Sequence, residues 1–292
     1  MNKQEAISIL KEHNQEHVIK RLEALEDDAA KKLISQVAMI DWKVVESIND
    51  KSDSSSEDKK IEPLEAVEIK DIKANKEKYT AKGVEAIKNG KVAAVLLAGG
   101  QGTRLGLDKP KGTLNVGVNK DLFLFGQLIR NLLDVVDMTG AYVPLYIMTS
   151  DKNNEDTVAF FEEHNYFGYD KDYVKFFIQS MVPSVDYNGK LYMESTDSLA
   201  MSPNGNGGWF LSLMAAGLDK DMEEKGVEYV NVFAVDNILQ RIADPAFIGA
   251  TMLAGAECGS KVVRKCEPEE KVGVMCRVNG HPSIIEYYEM SE

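Results

Sequence analysis

The chain has 292 residues, of which 44% are hydrophobic and 28% charged, and its formal net charge is −13. These proportions are typical of a globular protein that can bury a sizeable core. The negative charge argues against a nucleic-acid or anionic-membrane surface, which needs a broad basic face, but a pocket for a small phosphorylated substrate can still be locally positive.

The first 90 residues are predicted to form a helical region followed by a linker. Residues 2–49 are predicted to be helical, and apolar side chains recur there at three- and four-residue spacing: Leu33, Val37, Ile40, Val44 and Ile48. The segment 51–60 is rich in serine and charge, which indicates a linker or an exposed loop. A second helix is predicted over residues 75–88, ended by Asn89 and Gly90.

From residue 91 to residue 292 the pattern predicts an α/β domain. Apolar runs predict strands at residues 92–98, 142–149, 174–179 and 229–235. Helical spacing occurs between them, at residues 121–136, 155–164 and 209–218. Strands that alternate with helices favour a mostly parallel sheet. Near the end, Asn279-Gly280 between two apolar segments predicts a β-hairpin.

The cysteine pattern indicates a reducing compartment. The sequence contains Cys258, Cys266 and Cys276 without a CxxC pair, which fits reduced thiols better than a disulfide framework. The first residues show no apolar segment of signal-peptide length, and no apolar run approaches the ~18 residues of a membrane span. We therefore expect a cytoplasmic protein that binds neither nucleic acid nor membrane; its oligomeric state is not predicted.

A glycine-rich loop, GGQG at residues 99–102, follows the first apolar strand. Bare backbone at such a position lets N–H groups approach a ligand, most often phosphate oxygens, and the basic side chains of Arg104 and Lys111 follow. The loop does not fit a dinucleotide fingerprint, which needs glycine where Leu105 stands, or a P-loop, in which the lysine follows a glycine. A tight turn without a ligand is the alternative.

The segment LAGGQGTRLGLDKPKG, residues 97–112, resembles the signature of the UDP-sugar pyrophosphorylase family, and in particular its UDP-N-acetylhexosamine branch. Further motifs match in order: YIMTS, FFIQSMVPS, MSPNGNGG, FAVDNIL, ADPAFIG and VGVMCRVNG. The resemblance implies a Rossmann-like, GT-A-like nucleotidyltransferase fold whose core is residues 91–292. It also implies a Mg²⁺-dependent uridylyltransferase that makes UDP-sugar and pyrophosphate from UTP and a hexose 1-phosphate, with N-acetylglucosamine 1-phosphate as the expected acceptor.

The resemblance also implies roles for residues at the matching positions. Arg104 and Lys111 are expected to act on the phosphates, Asp236 to hold Mg²⁺, and Gln179 to recognise uracil. The remaining implied contacts are to the nucleotide, from Leu97, Ala98, Gly99, Gly100, Gly102 and Gly205, and to the sugar, from Asn206, Gly273 and Glu286.

Structural alternatives stay open for four of these side chains. Arg104 could form a surface salt bridge, Asp236 could cap a helix that begins at Asn237, Gln179 could be a buried amide with protein partners, and Glu286 could be a solvated strand residue.

Two alternative functions also remain. Glucose 1-phosphate is the alternative acceptor, and a catalytically impaired nucleotide-sugar-binding fragment is the alternative to an active enzyme. The sequence ends before the Asn-Ala-Gly-Asn motif and the later lysine with which family members continue. The resemblance therefore implies weak nucleotide binding and slow turnover for these 292 residues.

Overall fold

A computed structural model describes residues 1–47, 60–100, 102, 106 and 108–289. Its contacts divide the chain into two compact units: Met1–Lys51 with Ala86–Asp244, and Ser52–Glu85 with Pro245–Glu292. The predicted division at residue 90 differs from this grouping. The N-terminal helices belong to the first unit because they share a hydrophobic core with Leu191 and Leu199, whereas Ile61–Pro63 pairs with a strand of the second unit.

The helices and strands follow one another along the described residues as α1 (Lys3–Glu12), α2 (Glu16–Ala24), α3 (Asp27–Ala38), α4 (Trp42–Ser47), β1 (Ile61–Pro63), α5 (Ile69–Ala74), α6 (Lys76–Lys88), β2 (Val92–Leu97), α7 (Leu124–Thr139), β3 (Leu145–Thr149), α8 (Asn154–Glu163), β4 (Val174–Ile178), β5 (Met181–Pro183), β6 (Met201–Pro203), α9 (Trp209–Ala215), α10 (Leu218–Glu224), β7 (Tyr229–Ala234), α11 (Pro245–Leu253), β8 (Val274–Val278) and β9 (His281–Ile285). Of the helices in this part of the chain, none has the length and apolar character that a bilayer crossing needs.

The N-terminal region consists of separate short helices, where the sequence pattern predicts helix throughout residues 2–49. The chain turns after α1 at Asn14, whose φ of 57° is left-handed, and after α2 at Leu25, which is extended. Because α3 ends before α4 begins, Val44 does not continue the apolar stripe and is 56% exposed. Ile48 lies outside the described residues. The other stripe residues are buried in one cluster, as predicted: Leu33, Val37 and Ile40.

The first unit is built around a sheet in the order β4-β3-β2-β7, in which each strand pair is parallel. Neighbouring side chains on β4 lie on opposite faces. Phe176 meets Phe161 of α8 at 5.4 Å between ring centroids, whereas Phe177 packs in a cluster with Leu213 of α9 and Met222 of α10. Helices therefore cover both faces, and the predicted α/β fold with a parallel sheet is confirmed.

The strands of this sheet end at one edge, because parallel neighbours share their direction. Residues 98–100 follow β2, Gln179 follows β4, and Asp236 lies two positions after the end of β7. A backbone bond from Val235 N to Leu97 O, at 3.2 Å, extends the β2–β7 pairing to this edge. Ligands of open α/β sheets bind outside the carboxyl ends of the strands, so this edge is the place to look for a site.

Between β5 and β6 the chain makes an excursion that the sequence pattern did not predict. The two strands pair antiparallel, and bridges outside them join Val185 to Leu191 and Met193 to Leu199. We call residues 181–203 the arm. It leaves the sheet directly after Gln179-Ser180 and returns directly before Asn204-Gly205.

The second unit contains an antiparallel sheet in the order β1-β8-β9. Both turn residues between β8 and β9 have positive φ, 51° at Asn279 and 85° at Gly280, which is the type I′ geometry that Asn-Gly favours. The predicted hairpin is confirmed. In the same unit α6 packs closely on α11, since a β-carbon on Gly83 would lie 1.9 Å from the carbonyl oxygen of Pro245.

A charged network in the first unit fastens α10 to the sheet. The Asp221 carboxylate accepts hydrogen bonds from Tyr146 Oη of β3 and Lys175 Nζ of β4, both at 2.6 Å, and a third from Lys225. Burial raises the pKa of Asp221, but the hydrogen bonds from the two lysines and the tyrosine outweigh that effect and hold it well below its usual range. The ionised carboxylate therefore stabilises the folded state.

Replacing Asp221 by Asn is expected to lower the free energy of unfolding at neutral pH by about 1–3 kcal/mol, because Lys175 and Lys225 lose the negative charge they share. The folded-state pKa of Asp221 lies below the unfolded value, so its contribution is present at neutral pH and is lost as the pH falls through the acid range. Urea unfolding measures the free energy of unfolding of wild type and D221N. The difference between the two free energies should become smaller toward acid pH.

The matched control for this experiment is Asp134→Asn, which neutralises a carboxylate on α7 that is 63% exposed and pairs with Arg130 at 3.6 Å. Exposed ion pairs contribute about 0–1 kcal/mol to the free energy of unfolding, so this variant should be almost as stable as wild type. A D221N difference that is the same at all pH values would contradict the assigned role of the carboxylate.

Candidate functional site

The side-chain amide of Gln179 lies against the main chain at two glycines. Gln179 is 4% exposed, and its Nε2 donates to Gly205 O at 2.7 Å. A β-carbon on Gly99 would lie 2.6 Å from Gln179 Oε1, so this approach requires glycine at position 99. The alternative that Gln179 is a buried amide with a protein partner is thus correct for Nε2, while Oε1 faces the backbone of the glycine loop.

Asn153 fixes the backbone where the glycine loop begins. Its side chain is fully buried, and Nδ2 donates to Ala98 O at 3.0 Å and to Gly100 O at 3.3 Å. The Asn153 Oδ1 accepts from Ser150 N at 2.7 Å. One side chain thus joins the ends of β2 and β3. Sequence reasoning missed Asn153; the available signal is a polar residue four positions after the predicted strand 142–149 and two positions before the predicted helix 155–164.

A lysine and a carboxylate form an ion pair at the same edge of the sheet. Lys111 Nζ lies 2.6 Å from Asp236 Oδ1, with the lysine side chain 28% exposed and the aspartate 60% exposed. Lys111 begins a short turn, Lys111–Thr113, whose Gly112 packs on the ring of Phe125. The next helix after Asp236, α11, begins only at Pro245, so the alternative of a helix cap is wrong.

The chemistry of Asp236 fits a hard divalent cation bound together with phosphate. Its carboxylate oxygens are the donor type that Mg²⁺ prefers, and Mg²⁺ takes one or two protein carboxylates and completes its shell with phosphates and waters. Among the described residues, no three His, Cys, Asp or Glu side chains form a cluster that could enclose a metal ion by themselves. A cation at this position would therefore need oxygen atoms from a bound phosphate as well as the Asp236 carboxylate.

The other residues singled out from the sequence have these positions. Leu97 is the last residue of β2, and Gly102 is buried and donates its N–H to Lys109 O at 3.2 Å. Asn206 is exposed and begins the turn that follows Gly205. Arg104 lies outside the described residues.

Gly273 and Glu286 meet within the second unit. Gly273 stands directly before β8 and Glu286 directly after β9, so the hairpin brings the two together. A β-carbon on Gly273 would lie 3.2 Å from Glu286 Oε1, which is tighter than an ordinary contact. Glu286 is half-buried, and its backbone N–H donates to Glu289 Oε2 at 3.0 Å. Glu286 thus lies just after the strand instead of within it, and it remains partly exposed to solvent.

Proteins of known sequence and structure resemble this chain over most of its length. UDP-N-acetylhexosamine pyrophosphorylase-like protein 1 of Mus musculus is 46% identical over 220 residues, which cover 73% of this chain and 43% of the relative. UDP-N-acetylglucosamine pyrophosphorylase of Saccharomyces cerevisiae is 40% identical over 248 residues, which cover 82% of this chain and 52% of the relative. The chain thus spans about half the length of these curated relatives.

The fold agrees with a solved structure of the same kind. The crystal structure of the uridine diphosphate N-acetylglucosamine pyrophosphorylase from Trypanosoma brucei in complex with an inhibitor matches with a TM-score of 0.82 at 30% identity, over 99% of this chain and 62% of that chain. The resemblance noted from the motifs is therefore confirmed at the level of sequence and fold. A family model described as UTP–glucose-1-phosphate uridylyltransferase matches residues 41–292, and the chain belongs to that family.

Proposed function

We propose that the protein containing this chain is a uridylyltransferase that forms UDP-N-acetylglucosamine and pyrophosphate from UTP and N-acetylglucosamine 1-phosphate. The observation that carries the proposal is the Gln179 amide between Gly99 and Gly205, at the sheet edge that also bears the Lys111–Asp236 pair. Relatives named for UDP-N-acetylglucosamine support the sugar. We place the reaction in the cytoplasm, because Cys258, Cys266 and Cys276 are free thiols.

The reaction is a displacement at phosphorus between two polyanions. A phosphate oxygen of the sugar 1-phosphate bonds to the α-phosphorus of UTP, and the bond from that phosphorus to the bridging oxygen breaks as pyrophosphate leaves. Such a step relies on positioning and on offsetting charge. In our proposal Lys111 exchanges part of its contact with Asp236 for α-phosphate oxygens, and Arg104 forms paired bonds to the departing pyrophosphate.

Asp236 is the residue proposed to hold Mg²⁺. When bound, the ion offsets phosphate charge and orients the displacement. The Asp236 carboxylate lies 2.6 Å from Lys111 Nζ, so an α-phosphate at this edge would lie near both the lysine and a cation that the carboxylate would hold. The exposed Lys109 of the same loop receives no role.

Uracil recognition is assigned to Gln179. Because Nε2 is engaged with Gly205 O, the orientation of the amide is set, and Oε1 is the atom on the Gly99 side. A carbonyl oxygen accepts the N3–H of uracil but repels the unprotonated N3 of cytosine. Main-chain groups of Leu97, residues 98–100 and Gly102 are proposed to make the remaining nucleotide contacts, because backbone without bulky side chains can approach it closely.

Sugar recognition is proposed from hydrogen-bonding side chains. Asn206 follows Gly205 directly and can bond hydroxyl or N-acetyl groups with its exposed amide. In the second unit, the absence of a side chain at Gly273 leaves the Glu286 carboxylate close to the main chain, where it can accept from hexose hydroxyls.

The acceptor is tested by measuring pyrophosphate release from UTP with N-acetylglucosamine 1-phosphate and with glucose 1-phosphate. We expect kcat/KM to favour the N-acetylated sugar, because a site that bonds an acetamido group is left unsatisfied by a 2-hydroxyl. A preference for glucose 1-phosphate would replace the acceptor in the proposal. Nucleotide binding without pyrophosphate release from either sugar would favour a binding protein instead.

Replacing Lys111 by Met is expected to lower kcat by about 10²–10³-fold, the size seen when one preorganised donor to a developing anion is removed. The measurement of kcat follows pyrophosphate release in samples quenched at successive times. Lys109→Met is the matched control, because it removes a lysine from the same loop that is exposed and unassigned, and it should retain most of the wild-type kcat. Equal losses in the two variants would show that only the overall charge of the loop matters.

Replacing Gln179 by Ala is expected to weaken UTP binding and to reduce the preference for UTP over CTP by about tenfold or more, because the acceptor that distinguishes N3–H from N3 is lost. Calorimetric titration with the two nucleotides measures this preference. Gln127→Ala is the control, since it removes an amide on α7 that bonds Asn131. An unchanged preference in Q179A would refute the assignment of uracil to Gln179.

A further inference from the structure

The arm completes the hydrophobic core of the N-terminal helices. Leu191 and Leu199 are 2% and 0% exposed, and they belong to the same buried cluster as Leu10, Leu22 and Leu33 of α1, α2 and α3. Further apolar side chains of the arm pack on this cluster: Val185, Met193 and Met201. The N-terminal helices and the arm are therefore one packed assembly within the first unit.

Polar side chains of the N-terminal helices also bind the main chain of the arm. Gln15, 2% exposed, donates from Nε2 to Gly189 O at 2.9 Å and accepts from Leu191 N at 3.0 Å. His17 Nε2 lies 2.7 Å from Leu191 O, and Gln36 Oε1 accepts from Leu199 N at 2.9 Å. These bonds fix backbone atoms on both sides of the excursion, whatever side chains the arm carries.

The residues that line the candidate uracil site, Gln179 and Gly205, flank the arm on its two sides. The antiparallel pairing of β5 and β6 continues through a bond from Asn204 N to Ser180 O at 3.0 Å. On the far side it continues through a bond from Ser184 N to Ala200 O at 2.8 Å. Gln179 stands directly before this ladder and Gly205 directly after it. The register of the ladder therefore decides whether Gln179 Nε2 meets Gly205 O.

We propose that the N-terminal helices position the uracil-binding groups through the arm, with Gln15 and Gln36 as positioning residues for nucleotide binding. By fixing the arm at Gly189, Leu191 and Leu199, these two amides keep the β5–β6 ladder in register. The ladder in turn keeps the Gln179 amide oriented before a nucleotide arrives. This inference rests on the proposed function, because it assigns the Gln179–Gly205 contact to uracil.

The chemistry of Gln36 makes it the better site for a test. Gln15 uses both ends of its amide and is almost wholly buried, whereas half-buried Gln36 contacts the arm through its acceptor Oε1. Gln36→Ala removes that acceptor, and Gln36→Glu retains it. The pair of variants therefore separates loss of the hydrogen bond from loss of the glutamine.

The experiment measures UTP affinity by calorimetry, KM and kcat by pyrophosphate release, and backbone hydrogen exchange of residues 179–205. We expect Gln36→Ala to weaken UTP binding and raise KM about tenfold with kcat unchanged, and to speed exchange in that segment. Gln36→Glu should restore affinity, KM and exchange toward wild type. Asn2→Ala, which removes the N-cap of α1, is the control that destabilises the same helices away from the arm.

The outcomes separate this inference from the function on which it rests. If Gln36→Ala binds UTP as tightly as wild type, while Gln179→Ala does not, the positioning role is wrong and the proposed function stands. If Asn2→Ala weakens UTP binding as much as Gln36→Ala does, the effect is general destabilisation and the positioning role is again wrong. A wild-type protein that binds no UTP overturns both proposals.

Discussion

The site depends on the parallel register of β2 between β3 and β7. With strands on both sides, β2 has all of its backbone groups within the sheet, so it can consist of small and apolar residues from Val92 to Leu97 and be almost wholly buried. Its register with β7 sets Leu97 opposite Ala234. The glycine loop that follows β2 and the carboxylate that follows β7 therefore lie at the same edge, and Asn153 ties the loop to β3.

The site also concentrates opposite charges on a chain whose formal net charge is −13. An acidic protein that handles polyanions needs fixed cations where the phosphates bind, since its overall field repels them. Under the proposed function Lys111 is such a cation, and its ion pair with Asp236 holds it at the sheet edge. The arrangement differs from that of Asp221, where two lysines share a partly buried carboxylate and the result is structural stability.

Much of the fold could be predicted from the sequence because the decisive patterns are local. The apolar run of β2, the alternation of strands and helices, and the Asn279-Gly280 turn are each encoded within a few residues. The features that were not predicted depend on contacts between residues that are far apart in the chain. The breaks at Asn14 and Leu25 follow from packing of the N-terminal helices, and the role of Asn153 arises only when β2 and β3 are adjacent.

For the candidate site, too, local patterns could be predicted and contacts between distant residues could not. Gly99, Gln179 and Gly205 lie close together, but the bond that orients the amide could not be predicted from sequence, and the roles of these residues toward a nucleotide stay predictions. Asp236 was open to a helix-cap interpretation until the start of α11 was known. The arm was not predicted at all, because its strands are short and its apolar residues pack on helices far away in the chain.

The contacts between Gln15 and the arm join residues 174 and 176 positions apart. During synthesis the N-terminal helices leave the ribosome long before Leu191 and Leu199 are made. Their apolar faces therefore stay exposed until the middle of the chain has been synthesised. Contacts of such long sequence separation slow folding and leave intermediates prone to aggregation. The arm, residues 181–203, is made before β7, so the core of the N-terminal helices can close before the sheet has its last strand.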